Sequence, residues 1–227
     1  LRRLSLAGHA GGWPDGFLLA FDPHEGDVEA FARHGIACPP SVERSVAKRR
    51  AEYLAGRRVA IAALREAGAD VYDVAIGANR APSWPTGFTG SITHASGIAA
   101  AVAMPERHVR GVGIDIEDVP SESALKAIVQ SVVDEDEHRV LGDLARRIGW
   151  PMALTVAFSA KESFYKATAA TVGRIFEFTA LKIEGGDEGR LRARVAEPLA
   201  SSLPMGMEVE MGYAAMNETT VVTSFRW

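Results

Sequence analysis

With 227 residues, 47% hydrophobic and 24% charged, the chain has an ordinary globular composition and enough length to bury a core, as one large domain or as two small ones. A net charge of −4 speaks against a general nucleic-acid binder, and the single cysteine, Cys38, excludes an intrachain disulfide and a cysteine-rich zinc site. No stretch reads as a membrane span or a signal peptide, because Leu1 to Phe21 is broken by His9, Gly11, Gly12, Pro14 and Asp15; a cytoplasmic setting is the expectation.

Phe17-Leu18-Leu19-Ala20-Phe21, short, apolar and bounded by Gly16 and Asp22-Pro23, predicts a buried strand. After Cys38-Pro39-Pro40 a helix is expected from Ser41, a possible cap, to Ala67, with Val46, Tyr53, Leu54, Ile61 and Leu64 at near-helical spacing and Gly68 as the stop. It carries Lys48, Arg49, Arg50, Arg57 and Arg58. Such a stripe is either a solvated face, with Glu52 as a local partner for Arg49, or a place to hold phosphate. Gly77 to Gly87 is dense in turn formers and reads as a loop, followed by Gly90-Ser91-Ile92-Thr93-His94-Ala95-Ser96-Gly97 and the buried strand Ile98 to Met104. Hydroxyls, backbone amides and an imidazole can together cradle phosphate, although a histidine beside a core strand can equally be structural.

Val112-Gly113-Ile114-Asp115-Ile116-Glu117 is an apolar strand that carries two acids. Period-two alternation puts Asp115 and Glu117 on one side with Cα atoms roughly 7 Å apart, and Ile114 and Ile116 on the other. Two carboxylates so placed either fray into the acidic turn at Asp118-Val119-Pro120 or share a hard divalent cation. Ser121 to Ile148 reads as helical, its Asp134 to Arg139 run being most simply a solvated face. In Phe158 to Ala167, Ser159 and Glu162 have capping-box spacing and Glu162 and Lys166 ion-pair spacing, so local helix chemistry could explain all three. If that helix starts beside the acidic strand, Glu162 is instead a third carboxylate for one cation, with Lys166 next to the phosphates the cation holds. From Phe176 onward the chain alternates as strands do, with Gly185 to Gly189 as a hairpin turn.

Arg49 to Arg57, Trp84-Pro85 through His94, Gly113 to Glu117 and Phe158 to Ala167 together resemble the ordered signatures of the phosphopantetheinyl transferases of the large single-chain type, nearest the enterobactin-synthase branch. The resemblance implies an α+β fold, two-layered, of two α/β halves related by pseudo-twofold symmetry, with boundaries at 1–111 and 112–227, the second half carrying the acids. It implies Mg²⁺, with Mn²⁺ as an alternative, and coenzyme A as substrate in a cleft between the halves. The reaction it implies moves 4′-phosphopantetheine from coenzyme A to a serine of an acyl- or peptidyl-carrier protein of fatty-acid, polyketide or nonribosomal-peptide assembly, siderophores included, releasing adenosine 3′,5′-bisphosphate. Asp115, Glu117 and Glu162 match the metal-binding acids, Lys166 the lysine beside the transferring phosphate, and Glu162 is the candidate general base. Asp115 and Lys166 also count among the coenzyme A contacts. Thr93 and His94 match the residues that hold the 3′-phosphate, Arg49 and Arg57 those at the nucleotide end, and Arg80 lies in the adenine loop, beside Asn79 where relatives often carry Lys. Ile175 and Phe176 match the pantetheine channel by spacing, and the family suggests a monomer without nucleic-acid partners. Two other readings use the same residues: a coenzyme-A-binding module without transfer, and a metal-dependent nucleotide hydrolase.

Overall fold

Turn residues cut the chain into short strands, and the two longest runs of helix-forming sequence each lie against one of the sheets those strands build. The computed structural model describes residues 1–6, 13–71, 73–77 and 80–227. These form two units, one from Leu1–Ser5, Pro14–Val112 and Trp227, the other built around Gly113–Arg226. The fold is mixed α/β, with two sheets and six helices among the described residues.

In the first unit, β1 (Arg2–Leu4), β2 (Gly16–Ala20), β3 (Phe88–Ala95) and β4 (Ile98–Pro105) form an antiparallel sheet in the order β1-β2-β4-β3. Ala95 pairs with Ile98 across a two-residue turn, and both turn residues, Ser96 and Gly97, have positive φ, as the twist of a tight hairpin requires. The short helices α1 (Glu29–Arg33) and α2 (Pro40–Glu43) precede the 20-residue α3 (Ala47–Glu66). Small residues on β4, Ala99, Ala101 and Ala103, pack in one core with Tyr53, Leu54, Val59 and Leu64 of α3 and with Phe31. Trp84 of the Trp-Pro loop lies over Gly90, where a Cβ would come within 2.5 Å of the indole.

The helix expected over 41–67 is thus two helices. The chain is extended at Val46, and Arg50 of α3 donates to the carbonyl oxygens of Glu43 and Ser45, acceptors that a continuous helix would have satisfied internally, and also to that of Gly26.

In the second unit, β5 (Val112–Asp118), β6 (Leu181–Asp187), β7 (Arg190–Val195), β8 (Glu208–Ala215) and β9 (Thr220–Arg226) form a sheet in the order β5-β9-β8-β7-β6. The expected hairpin after Gly185 turns at Glu188-Gly189, and Gly185 itself sits at a register shift. The Ser121–Ile148 stretch is also two helices, α4 (Glu122–Ser131) and α5 (Glu135–Ile148), because Asp134 caps the second: its side chain accepts from the amides of Asp136 and Glu137, and the Glu137 carboxylate accepts in turn from the Asp134 amide. The 23-residue α6 (Trp150–Val172) has Pro151 in its first turn and ends at Gly173 in the left-handed conformation.

β5 and α6 touch at backbone distance. A Cβ built on Gly113 would lie 1.9 Å from the Ser163 carbonyl oxygen, so no side chain fits between strand and helix there. Gly113→Ala is expected to cost stability at or above the upper end of the ~1–3 kcal/mol typical of overpacking, since backbone must move to admit the methyl; urea unfolding of the variant beside the parent measures it.

Candidate active site

At about 100° per residue, Ser159, Glu162, Ser163 and Lys166 occupy one stripe of α6 roughly 100° wide. On β5, Asp115 and Glu117 share the side of Gly113, which touches α6 at Ser163. Asp115 is 3% exposed, and Lys166 Nζ lies 2.5 Å from its Oδ1 and 3.4 Å from the Ile114 carbonyl oxygen. Ser159 Oγ donates to Asp115 Oδ2 at 2.8 Å and lies 2.9 Å from Thr223 Oγ1 of β9, which in turn lies 2.7 Å from Ser163 Oγ. Ser159 is therefore mid-helix, nine positions beyond Trp150, and its spacing to Glu162 is no capping box. A capping box in this unit is formed by Asp134 with Glu137. Lys166 likewise makes its ion pair across to the strand.

The acids share an electrostatic neighbourhood. Burial, then the nearby Asp115 carboxylate, pushes the Glu117 carboxyl up to about 7, with Lys166 opposing and Glu162 and Asp118 adding to the rise. Burial also raises Glu162, Lys166 opposing and Asp115 adding. One ammonium among four carboxylates leaves an excess of negative charge in a partly dry place, and oxygen donors of that kind suit a hard divalent cation. In charge and donor type the set fits Mg²⁺. Among the described residues, however, no three His, Cys, Asp or Glu side chains are arranged as a metal-ligand group, and Lys166 takes one oxygen of Asp115.

The sequence-matched phosphate residues of the first unit are only partly gathered. Arg49 Nη1 lies 3.4 Å from His94 Nε2, with Glu52 3.6 Å from the arginine and 3.8 Å from the histidine, so both side chains flank one carboxylate. Thr93 alternates onto the other face of β3 and is buried. Arg57 is buried too. Its guanidinium lies 4.3 Å from the Tyr53 ring centroid, Nη2 donates to the Ala75 carbonyl at 3.4 Å, and the buried Nε has no hydrogen-bond partner among the described residues. Arg80 is exposed with φ of 63°, while Ala78 and Asn79 lie outside the described residues.

Comparison with known proteins places these clusters in a family. Residues 39–104 match the 4′-phosphopantetheinyl transferase N-terminal domain, and residues 111–213 match the 4′-phosphopantetheinyl transferase superfamily. The chain belongs to the 4′-phosphopantetheinyl transferase superfamily. It is 42% identical over 144 residues to enterobactin synthase component D of Salmonella typhi, covering 62% of this chain and 58% of that protein. It is 40% identical over 121 residues to the Escherichia coli K12 protein of the same name, covering 53% and 55%. With the 4′-phosphopantetheinyl transferase PptT of Mycobacterium tuberculosis it shares 38% over 130 residues, 56% and 55% of the two chains. The chain thus spans a little over half the length of these relatives. No helix among the described residues is long and apolar enough to cross a membrane.

The remaining matched positions of this superfamily member divide by burial. Ile175 is 77% exposed just beyond α6, whereas Phe176 folds back onto Tyr165, with ring centroids 4.9 Å apart, and onto Phe164 at 6.1 Å. The acidic run is not wholly solvated: Glu137 is 2% exposed and pairs with the equally buried Lys161, whose Nζ also donates to the Val132 carbonyl at 2.6 Å. Glu137 accepts the Ile183 amide at 2.8 Å as well, so one carboxylate ties α5, α6 and β6 together. Ser159, Ser163, Thr223, Lys161 and Glu137 all went unassigned in function from sequence. The two serines could have been read from their i, i+4 spacing on the Lys166 face, and Thr223 from its polarity inside Val221-Val222-Thr223-Ser224-Phe225.

Because Glu117 binds its proton more tightly folded than unfolded, the metal-free protein keeps that stabilisation below about pH 4.5 and loses it as pH rises through about 7. Thermal melts of metal-free protein between pH 5 and pH 8 are expected to fall with pH, and Glu117→Gln to flatten the trend.

Proposed function

We propose that this chain transfers the 4′-phosphopantetheine arm of coenzyme A to a serine hydroxyl of an acyl- or peptidyl-carrier protein, releasing adenosine 3′,5′-bisphosphate. The observation that carries the reading is the β5–α6 cluster, where Asp115, Glu117, Glu162 and Lys166 meet in a chain of the transferase superfamily. Names of relatives such as enterobactin synthase component D support carrier proteins of siderophore assembly as substrates, and polyketide or fatty-acid carriers fit the same chemistry.

Phosphoryl transfer asks a protein mainly for positioning and charge neutralisation. Lys166, held at the strand by Asp115, supplies a fixed ammonium for the developing charge on the transferring phosphate. Glu162 is the proposed base. Burial raises its carboxyl from the ordinary value, which moves its basicity toward that of the serine hydroxyl. Asp115, Glu117 and Glu162 would hold Mg²⁺, or Mn²⁺ in its place, and the bound ion would supply Lewis-acid neutralisation of the pyrophosphate oxygens. Arg49 and His94 are proposed to hold the 3′-phosphate. Thr93 is a weaker candidate because its side chain is buried on the opposite face, and Arg57 is proposed to act through the loop it grips at Ala75. Arg80 remains the proposed adenine-loop contact, with Ile175 and Phe176 at the pantetheine arm.

Purified protein incubated with coenzyme A, Mg²⁺ and a panel of apo carrier proteins is expected to add the phosphopantetheine mass to a carrier; coenzyme A bound without transfer, or hydrolysed without a carrier, would replace this reading by a binding module or a hydrolase. Glu162→Gln keeps shape but loses charge and basicity, and is expected to melt like the parent while losing at least a hundredfold in turnover, within the ~10²–10⁴-fold of general base catalysis. Near-parental turnover by a folded Asp115→Ala would remove the metal assignment.

A charge-assisted hydrogen bond is worth roughly 1.5–3 kcal/mol, so Arg49→Ala and His94→Ala should each weaken coenzyme A about tenfold or more and dephospho-coenzyme A much less. Calorimetric titration with the two ligands reads the difference, and equal losses would move the 3′-phosphate elsewhere.

A further inference from the structure

Three buried hydroxyls form a file that ends on Asp115: Ser163 Oγ to Thr223 Oγ1 at 2.7 Å, Thr223 Oγ1 to Ser159 Oγ at 2.9 Å, and Ser159 Oγ to Asp115 Oδ2 at 2.8 Å. Ser159, Ser163 and Thr223 have no exposed surface and Asp115 is 3% exposed, so the file is cut off from solvent exchange. Proton counting sets its direction. An ionised carboxylate only accepts, so Ser159 spends its single proton on Asp115; Thr223 must then donate to Ser159, and Ser163 to Thr223. All three O–H bonds point toward the carboxylate, and each polarises the next.

We infer that Thr223 is a positioning residue for the proposed transfer site, orienting the Asp115 carboxylate through Ser159, with Ser163 completing the file. The inference rests on the metal-dependent transfer proposed above. It adds a residue on β9, beyond residue 213, where the superfamily match ends. With Oδ2 pinned by Ser159 and Oδ1 facing Lys166, the plane of the carboxylate is determined from both ends. Each oxygen keeps a second lone pair, so a carboxylate fixed in this way can meet a cation without having to lose rotational freedom on binding. Hydrogen-bond partners of this kind are worth about 10–100-fold in metal affinity where they have been removed from metal sites.

The test uses the full chain and Mn²⁺ as the probe, with the free ion counted by electron paramagnetic resonance, beside steady-state turnover with coenzyme A and an apo carrier. Thr223→Val removes the hydroxyl and keeps the branched shape. It is expected to weaken Mn²⁺ about tenfold and to lower kcat by a similar factor, leaving KM for the carrier near the parental value. Thr223→Ser restores the hydroxyl and should recover both. Ser163→Ala, one bond further from Asp115, should show the same losses in smaller measure, and it carries the test if Thr223→Val does not fold. A folded Thr223→Val, or failing that a folded Ser163→Ala, with parental Mn²⁺ affinity and kcat overturns the inference. So does a Thr223→Ser as impaired as Thr223→Val, which would make the role one of packing, or a parent that binds no Mn²⁺. The two proposals part cleanly: Mn²⁺ affinity that follows the hydroxyl in a protein that modifies no carrier keeps the positioning role and sinks the transfer, whereas a transferring parent matched by Thr223→Val does the reverse.

Discussion

The arrangement of the second unit depends on how near β5 comes to α6. Gly113 has no side chain to hold the two apart, so the strand backbone lies against the Ser163 carbonyl. Two residues along on the same side, Asp115 then meets α6 at side-chain distance and finds Ser159 and Lys166. A carboxylate this buried would be costly without partners, and the close packing both removes its water and supplies the replacements. Every other property of the cluster follows: the burial and then the like-charge crowding that lift Glu117, the burial of Glu162, and the ammonium drawn in beside them.

The motif on α6 serves two neighbours at once. Lys161 and Glu162 are adjacent in sequence and about 100° apart around the helix, so they cannot share a task. Lys161 goes to Glu137, Val132 and the α5–β6 side, where its charge is neutralised in the dry interior, while Glu162 and Lys166 go to the β5 side. Glu137, the third residue of α5, is already the closing member of its capping box, so the start of α5 is locked to the residue immediately before Glu162. The segment Lys161-Glu162-Ser163-Phe164-Tyr165-Lys166 thus sets a structural lysine, paired to α5, directly beside the glutamate and lysine proposed for the chemistry.

What was legible in the sequence was local. Gly113-Ile114-Asp115-Ile116-Glu117 declared its strand and the common side of its acids because period-two alternation needs no knowledge of the partner. Gly185 to Gly189 declared a hairpin for the same reason. The errors came where a distant contact decided. Ser159 with Glu162 satisfies the capping pattern, but α6 starts at Trp150, with Gly149 before it and Pro151 in its first turn, a signal equally present in the sequence and physically stronger. The break between α2 and α3 is held by Arg50 reaching back to Gly26 and the end of α2, which no window on 41–67 contains. Glu137 read as solvated because its partner Lys161 is 24 residues away, and Thr223 went unremarked because its partners are 60 and 64 residues distant.

Strand order adds a constraint in time. β5 lies at one edge of its sheet and takes its neighbour from β9, and the bond from Thr220 Oγ1 to Asp118 at their junction closes a loop of 102 residues. A ribosome that has made β5 has produced Asp115 and Glu117, and one that has made α6 has produced all four charged groups of the cluster, still without the hydroxyl of Thr223 or a sheet partner for the acidic strand. The acids then sit on an unpaired edge until β9 emerges, and the nascent chain closes its second sheet through one of its most non-local pairings. Assembly of the site is therefore a late event in synthesis, and a chain interrupted before β9 carries the complete charged set without the frame that aims it.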